Sequence, residues 1–297
     1  MAKATILRGV AGAGKTTLAK TLDGTRISRD DIRRLLFGVE GKTVLDSAGE
    51  KRVTKFQRDL IESELDAGRN VIVDDTNLNK GLLTSLCRFI NDLGYDYTIR
   101  DVRVDASVAH ERNAARPESE QIPAHVIDRQ QAKAWWGHIP SVPYVYKPYT
   151  PDPSLPVACS FDLDGTLAQM NGKRGPYDFT KYHLDDLDET VATMNWTLGV
   201  DEGWKSGHCE MIILTGRSEE YRAECEEWLI RQGVAWDRLI MRPEGDTRND
   251  AVVKSDLWDE HISGKFDVLA HFDDRRCVVR ALRKKGIRVF QVSEGDF

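Results

Sequence analysis

Two short segments of this sequence combine residue types that bind and transfer phosphate. Residues 9–16 read G-x-x-x-x-G-K-T, in which glycines let backbone N–H groups converge on an anion. In such a loop Lys15 reaches the β- and γ-phosphates and the Thr16 hydroxyl holds Mg²⁺. Further along, Asp162 and Asp164 follow an apolar segment, and paired carboxylates suit metal-assisted attack on a phosphate. The sequence therefore predicts two phosphate sites of different construction.

The first segment has the flanking elements that a phosphate-binding loop requires. Residues 4–7 predict a buried strand, and residues 17–22 predict a helix whose N-terminus adds partial positive charge. A glycine-rich strand–helix turn with an incidental lysine is the alternative interpretation, and the complete spacing argues against it. The residues predicted to contact ATP are Gly9, Gly12, Ala13, Gly14, Lys15, Thr16, Thr17, Arg112 and Arg116.

Acidic residues that could serve a phosphate acceptor follow in the same half. Asp30 begins a predicted helix and shares its first turn with Arg33, and the helix dipole favours an ionised carboxylate that can accept a hydroxyl proton. Taken alone, this pair is explained better as ordinary helix-terminal charge. A strand is predicted from residue 70, and its apolar residues 71–73 lead into Asp74 and Asp75, a strand end that suits an acid on the magnesium or the substrate side.

Two arginines lie on one face of a helix predicted over residues 107–115, because Arg112 and Arg116 are four apart. A second helix is predicted over residues 124–136. In small P-loop kinases such a helical lid places arginines on the transferring phosphoryl group. A solvated basic face explains Arg112 equally well and Arg116 less well.

The second half presents four motifs in a fixed order, three of them at predicted strand ends. D-x-D-G-T-L, beginning at Asp162, closely resembles the first motif of the haloacid dehalogenase (HAD) phosphatases. T-G-R from Thr215, Lys254 on a predicted helix, and Asp273 with Asp274 follow. A calcium loop is the rival interpretation of the first motif, but the later Asp/Asn and terminal Glu of such loops are missing from it.

These patterns predict an α/β chain of two domains, each a mainly parallel sheet flanked by helices. The first is P-loop kinase-like and the second is HAD-like with a small cap that includes a helix over residues 185–200. Six of the ten prolines among the 297 residues fall in residues 140–156, where they deny both helix and central strand. We therefore predict a kinase domain over residues 1–140, a linker over 141–156 and a phosphatase domain over 157–297.

Charge and composition narrow the classes of function. The net charge of −6 is uneven, since residues 151–297 are strongly acidic, which argues against a broad nucleic-acid groove there and suits a small metal-rich site. The sequence shows neither an apolar run that could span a bilayer nor a signal-peptide pattern, so we expect a cytoplasmic protein without membrane contact. The five cysteines lie too far apart to predict a zinc site or a disulfide framework.

Together, the motifs of both halves resemble those of the phage-type bifunctional polynucleotide 5′-kinase/3′-phosphatase family. The resemblance extends over almost the whole chain and rests on residues 9–16, 28–33, 75–79, 112–116, 161–167, 170–172, 174–178, 215–217, 245–248, 250, 254, 273–275 and 295–297. It implies that Asp30 is the general base on a 5′-hydroxyl and that Arg33 engages the acceptor 3′-phosphate. It further implies that Asp75 helps to hold the acceptor end and that Arg116 binds the donor phosphates.

For the second half the resemblance implies a covalent mechanism, with Asp162 forming an aspartyl-phosphate and Asp164 acting as acid and base. The implied substrate-binding residues of the two halves are Asp75, Thr76, Asn77, Arg174, Thr215, Gly216, Arg217, Asp250 and Lys254. The implied Mg²⁺ ligands are Thr16, Asp162, Asp164, Asp273 and Asp274. The chain departs from the family pattern in a residue added before Arg174 and in an unusual glycine-rich stretch over residues 38–50.

The family resemblance also implies cofactors and partners. Members use ATP and Mg²⁺, act on RNA and DNA ends, prepare broken RNA for ligation and form homotetramers. For this chain it implies RNA or DNA ends as substrates, a functional link to an RNA ligase, a homo-oligomer, and the cytoplasm of a phage-infected bacterium.

Two other functions are compatible with parts of the pattern. A metabolite kinase fused to a small-molecule phosphatase would use the same chemistry, although the Asp30 and Arg33 pair and the basic lid favour a nucleic-acid end. A nucleotide-sensing adaptor would bind ATP without turnover. A sensor has no use for the nucleophile Asp162 or for the two acid/base residues, so the complete set argues against it.

Overall fold

The computed structural model describes residues 2–38, 45–175, 178–200 and 208–295, apart from the side chains of Ser119 and Phe179. The chain divides into two compact units, Met1–Tyr144 and Val145–Phe297. Residues 39–44 of the unusual stretch, residues 176–177 of the motif over 174–178 and the final two residues of the chain lie outside the described residues. Each unit is a mainly parallel sheet flanked by helices, which confirms the predicted fold class.

The first unit is built on a four-stranded parallel sheet. Its strands are β1 (Lys3–Arg8), β2 (Thr25–Ile27), β3 (Val71–Asp74) and β4 (Asp96–Asp101). They pair in the order β2-β3-β1-β4, so β1 and β3 are central. The central strands are apolar because helices cover both faces of a parallel sheet, and Ile6, Val71 and Val73 are fully buried.

In the described part of this unit, six α-helices flank the sheet. They are α1 (Lys15–Ala19), α2 (Arg29–Phe37), α3 (Ser47–Asp66), α4 (Lys80–Asp92), α5 (Ala106–Ala114) and α6 (Ala124–Lys133). The helix predicted over residues 17–22 begins and ends earlier, as α1. The helix predicted over 124–136 ends at Lys133, because Trp135 leaves it and donates its backbone N–H to the Leu78 carbonyl at 3.3 Å.

The second unit contains a five-stranded parallel sheet and a two-stranded antiparallel hairpin. The sheet has the order β11-β10-β5-β8-β9. The strands are β5 (Val157–Phe161), β6 (Ala168–Gln169), β7 (Asp186–Leu187), β8 (Glu210–Ser218), β9 (Arg238–Arg242), β10 (Asp267–Arg275) and β11 (Val289–Gly295), with β6 and β7 forming the hairpin. Its core includes Phe161, whose ring stacks on Phe272 with centroids 4.4 Å apart.

Four α-helices of the second unit are α7 (Glu189–Gly199), α8 (Arg222–Gln232), α9 (Asp250–His261) and α10 (Arg276–Lys284). The helix predicted from residue 185 begins at Glu189, since the Asp188 carboxylate accepts the backbone N–H groups of Thr190 and Val191 at 3.1 Å and caps it. Within the proline-rich stretch, the buried Tyr149 belongs to this unit: its hydroxyl donates to the Phe266 carbonyl and accepts the Val268 N–H.

The parallel strands bring the predicted catalytic segments to one edge of each sheet. The phosphate-binding loop follows β1 and Asp75 follows β3 in the first unit. In the second unit Asp162 follows β5, while β8 and β10 contain the other two strand-end motifs. The carboxyl ends of parallel strands are where ligands bind in open α/β sheets, and both candidate sites lie there.

Candidate active sites

The loop over residues 9–16 needs its glycines. Gly12 and Gly14 have φ of 81° and 99°, a left-handed conformation that side chains with a Cβ disfavour. A Cβ on Gly12 would also lie closer than 3.0 Å to the backbone carbonyl of Ala109 in α5. The loop is thus shaped both by its own backbone and by the helix packed against it.

This packing gives a stability prediction. Gly12→Ala is expected to lower the free energy of unfolding by about 2 kcal/mol or more, because it combines a left-handed alanine with overlap against a backbone carbonyl. Gly81→Ala is the matched control: Gly81 lies in the first turn of α4, where a Cβ makes ordinary contact, and we expect an unchanged or higher stability. Chemical denaturation of both variants measures the difference. Equal stabilities would contradict the packing described here.

Three polar side chains contact the loop backbone. Lys15 Nζ donates to the Val10 carbonyl at 2.8 Å, and Arg112 Nη1 donates to the Ala13 carbonyl at 3.1 Å. The Ala11 N–H donates to the side-chain oxygen of Gln130 at 2.8 Å. Burial lowers the pKa of Lys15 to about 8, while the nearby carboxylates, Asp74 foremost, oppose this shift.

Opposite the loop, α2 presents a carboxylate and a fixed guanidinium. Asp30 is 68% exposed at its side chain and accepts a hydrogen bond from Arg33 Nη1 at 2.6 Å. Arg33 also donates from Nε and Nη2 to the two carboxylate oxygens of Glu50, both at 3.0 Å. Glu50 additionally accepts from Arg29 at 2.6 Å. Glu50 therefore fixes Arg33, while most of the Asp30 carboxylate stays accessible.

Asp75 is bound on both carboxylate oxygens. It accepts the backbone N–H of Arg29 at 2.9 Å and the side-chain amide of Gln57 at 2.6 Å. In the following loop the Thr76 carbonyl accepts the Gly9 N–H, and the Asn77 amide donates to the Leu7 carbonyl at 2.8 Å. These two contacts join the loop after β3 to the end of β1.

A cavity of about 730 Å³ brings most of the first-unit predictions together. The predicted residues that line it are Lys15, Thr16, Asp30, Arg33, Asp75, Thr76, Asn77 and Arg116. Gly9, Gly12, Ala13, Gly14, Thr17 and Arg112 do not line it. Gly12 and Arg112 belong instead to the contact between the loop and α5.

Asp75 gives a prediction on pH and stability. Burial raises the pKa of Asp75 to about 6, although the Arg29 N–H and the Gln57 amide oppose it. Its folded pKa lies above its unfolded value, so the unfolded state loses its proton first and stability falls as pH rises from about 4 to about 6. Asp75→Asn should therefore stabilise the protein above pH 6, by about 1 to 2 kcal/mol, and be neutral near pH 4. Denaturant unfolding at both pH values tests this, and a pH-independent difference would contradict it.

In the second unit a buried lysine connects three acids. Lys254 Nζ lies 2.9 Å from Asp162 Oδ1, 2.8 Å from Asp273 Oδ2 and 3.7 Å from Asp250 Oδ2. Burial raises the pKa of Asp162, and Lys254 opposes the shift. The lysine thus offsets part of the charge of an acidic cluster that is otherwise costly to bury.

The acid cluster fits a divalent cation. One carboxylate oxygen from each of Asp162, Asp273 and Asp274 lies within 4.8 Å of the others. Asp274 Oδ2 is buried and has no hydrogen-bond donor among the described residues, and burial raises the pKa of Asp274 to about 6. Oxygen ligands in such a group are those that Mg²⁺ prefers.

Asp273 is more fully engaged than Asp274. It accepts hydrogen bonds from Lys254, from the His271 ring at 3.2 Å and from the Arg275 N–H at 2.8 Å. Its pKa falls to about 2, because Lys254 and His271 outweigh the effect of burial. Of the two acids at the end of β10, Asp274 therefore has the oxygen better suited to a metal.

Asp164 lies between two buried arginines. Arg217 donates to both of its carboxylate oxygens at 2.9 and 2.8 Å, and Arg174 donates at 2.6 Å. Burial would raise the pKa of Asp164, but these arginines lower it below its ordinary value. Asp185 accepts from both arginines at 2.7 to 2.8 Å, and the Tyr182 ring lies against both guanidinium groups.

The remaining predicted residues lie around Asp250. A Cβ on Gly216 would lie closer than 3.0 Å to the Asp250 carboxylate, so the glycine is needed for this approach. Asp250 accepts from Arg242 at 2.8 Å and from Arg275 at 3.4 Å. The Thr215 hydroxyl accepts the backbone N–H of Arg217 at 3.2 Å. The structure therefore brings Asp162, Asp250, Lys254 and Asp273 into one connected cluster, and Asp164, Arg174 and Arg217 into another.

Five residues that bind the predicted site residues are not predicted from the sequence. They are Glu50, Gln57, Gln130, Asp185 and Arg242. Gln130 and Asp185 lie on helices that the sequence predicts, but all five residues lie outside every motif. Asp185 was predicted as the start of a helix, and its burial between two arginines has no local signal. Their role depends on tertiary pairing.

Comparison with known proteins gives two domain-level matches. Residues 156–297 match the family model described as the polynucleotide kinase PNKP phosphatase domain, and residues 5–134 match that described as an AAA domain. A protein of Autographa californica nuclear polyhedrosis virus, named as a bifunctional polynucleotide kinase/RNA ligase, is 31% identical over 292 residues. That alignment covers 93% of this chain, and the chain spans only 40% of the length of the viral protein.

Two solved structures align with the whole chain. They are described as the Pnkp1/Rnl/Hen1 complex and the Pnkp1/Rnl/Hen1 RNA repair complex, with identities of 29% and 30% and TM-scores of 0.48 and 0.47. Both alignments cover 100% of this chain, and 98% and 97% of the matched chains. Separately, none of the helices within the described ranges is long and apolar enough to cross a membrane. On its two domain matches, the chain belongs to the family of polynucleotide kinase/phosphatases, with a P-loop kinase domain followed by a HAD-type phosphatase domain.

Proposed function

We propose that this protein heals broken nucleic-acid ends with two separate active sites. The first site transfers the γ-phosphate of ATP to a 5′-hydroxyl end, and the second hydrolyses a 3′-phosphate. The observation that carries the proposal is the pairing of Asp30 with Arg33 in the cavity that Lys15 also lines. This places a base for a hydroxyl beside a cation for the neighbouring phosphate, which a nucleic-acid end supplies.

At the kinase site, Asp30 takes the proton of the 5′-hydroxyl as the hydroxyl oxygen attacks the γ-phosphorus of ATP. The bond between the γ-phosphorus and the β,γ-bridging oxygen breaks, and ADP leaves. Arg33, fixed by Glu50, binds the phosphate next to that hydroxyl. Lys15 and Arg116 stabilise negative charge on the donor phosphates, and Asp75 orders the acceptor side through Arg29 and Gln57.

At the phosphatase site, an Asp162 oxygen attacks the phosphorus of the 3′-phosphate, and the bond to the 3′-oxygen breaks. Asp164 acts through its minor protonated form, because Arg174 and Arg217 keep it mostly ionised: this form donates a proton to the leaving 3′-oxygen, and the carboxylate then takes one from the water that hydrolyses the aspartyl-phosphate. Lys254 and Arg217 offset the charge that the substrate phosphate adds. Mg²⁺, bound by Asp162 and Asp274, would neutralise carboxylate and phosphate charge, and at the kinase site the Thr16 hydroxyl would be a ligand.

The family resemblance supports several finer proposals. We propose Mg²⁺ as the cation, activity on both RNA and DNA ends, a homotetrameric assembly, and a location in the cytoplasm of an infected bacterium. The functional link to an RNA ligase is proposed on the same ground. We also propose the domain boundaries 1–140, 141–156 and 157–297.

The test uses labelled ATP and two oligonucleotides, each as RNA and as DNA. We expect label transfer to the 5′-hydroxyl oligonucleotide and phosphate release from the 3′-phosphate oligonucleotide. A chain that phosphorylates nucleosides or sugars but no oligonucleotide would be a small-molecule kinase fused to a phosphatase, and the proposal would be wrong.

A further inference from the structure

Arg58 lies in the acceptor half of the cavity but belongs to no motif. It is half-buried on α3, one helical turn from Thr54 and next to Gln57, and all three line the cavity that contains Asp30 and Arg33. Thr54 accepts from Arg29 and Gln57 donates to Asp75, so this face of α3 is turned toward the acceptor residues.

The surroundings of Arg58 differ from those of Arg29 and Arg33, which line the same cavity. Arg29 and Arg33 each pair with Glu50, whereas Arg58 has no carboxylate within ion-pair distance among the described residues. Its Nη2 donates to the neutral Ser85 hydroxyl at 2.7 Å, and its guanidinium lies 5.1 Å from the centroid of the Phe89 ring. The pKa of Arg58 is lowered, first by burial and then by the charge of Arg29.

A half-buried guanidinium without a counter-ion can bind an anion. An arginine has five N–H donors arranged as a planar fork that suits a phosphate, and Ser85 engages one of them. Stacking on Phe89 orients the fork and leaves its edge available. Arg33 and Arg58 are held by different neighbours: Arg33 contacts the base Asp30, whereas Arg58 contacts α4 through Ser85 and Phe89.

We propose that Arg58 binds the second phosphate of the acceptor strand, one nucleotide beyond the phosphate that Arg33 engages. This inference rests on the proposed kinase function and deepens it. The acceptor is then a chain with at least two phosphates, and Arg58 makes the enzyme prefer polynucleotides over nucleoside 3′-monophosphates.

The experiment compares acceptors of different length in the full-length protein. We expect Arg58→Gln to raise the KM for a 5′-hydroxyl oligonucleotide by about tenfold and to leave the KM for a nucleoside 3′-monophosphate within about twofold. The kcat for both acceptors should be unchanged. The slope of log KM against log salt concentration should decrease by about one, because one phosphate contact is lost.

Two further variants separate binding from structure. Arg52→Gln is the matched control, because Arg52 lies on the same helix over the Phe37 ring but does not line the cavity, and it should leave both KM values unchanged. Arg58→Lys keeps the charge without the fork and should restore part of the affinity for the longer acceptor.

An equal rise in the KM for both acceptors, or a rise that Arg52→Gln reproduces, would overturn the role of Arg58. If the wild-type protein phosphorylated no oligonucleotide at all, the proposed kinase function would fail and this inference with it. Normal wild-type activity with no length dependence in Arg58→Gln would overturn this inference alone.

Discussion

Asp162→Asn should abolish removal of the 3′-phosphate and leave phosphorylation of the 5′-hydroxyl unchanged. We expect the phosphatase rate to fall by about four orders of magnitude or more, because the amide cannot act as the nucleophile. The two activities separate because the chain divides into two compact units, with Asp162 in the second. Release of phosphate from a 3′-phosphate oligonucleotide and label transfer from ATP measure the two rates.

A thermal melt and a control variant separate this loss of activity from a loss of fold. Asn matches Asp162 in shape, and Lys254 keeps its ion pair with Asp273 at 2.8 Å, so a thermal melt should show no large destabilisation. Asp256→Asn is the control on α9, since Asp256 is half-buried and pairs with Arg248 outside the acid cluster. It should leave both activities intact. Phosphatase activity that survives in Asp162→Asn would contradict the covalent mechanism.

The reverse result is expected for Asp30→Ala, with a kinase rate lowered by about two to four orders of magnitude and an unchanged phosphatase. Asp30 is the carboxylate that contacts Arg33 and stays largely exposed to the cavity. Asp30→Ala leaves the attacking hydroxyl without the proposed carboxylate that takes its proton. The KM for ATP should change little, because the loop over residues 9–16 is untouched.

Asp31→Ala is the matched control for this variant. Asp31 is the next residue of α2, but its carboxylate pairs with Arg26 and Arg34 rather than with Arg33. We expect its kinase rate to stay within about fivefold of the wild type, since exposed ion pairs contribute little. Equal losses in Asp30→Ala and Asp31→Ala would show that helix α2, and not the Asp30 carboxylate, carries the effect.

The sequence predicted the parts of the fold that depend on local pattern. The phosphate-binding loop follows β1 and D-x-D-G-T-L follows β5, because apolar runs that end in glycine or aspartate carry a strong signal for a strand end. The end of α6 was misplaced because the contact between Trp135 and Leu78 is tertiary. Helix propensity alone extends through those residues.

The residues that orient the catalytic groups could not be predicted in the same way. Glu50 fixes Arg33 from a different helix, and Asp185 holds Arg174 and Arg217 from a segment predicted as helix. An ion pair of this kind has no sequence period, because it forms only after the elements pack. The motifs therefore locate the chemistry, and the packing decides which guanidinium faces which carboxylate.

The most direct test of the two-site account is the mass of one RNA that carries both a 5′-hydroxyl and a 3′-phosphate, measured after incubation with ATP and Mg²⁺. With the wild-type protein the mass should not change, because one phosphoryl group is gained and one is lost, and the product should carry a 5′-phosphate and a 3′-hydroxyl. Asp162→Asn should yield an RNA heavier by one phosphoryl group, and Asp30→Ala an RNA lighter by one. If either folded variant left the RNA with both original ends, the account of two independent sites would be contradicted.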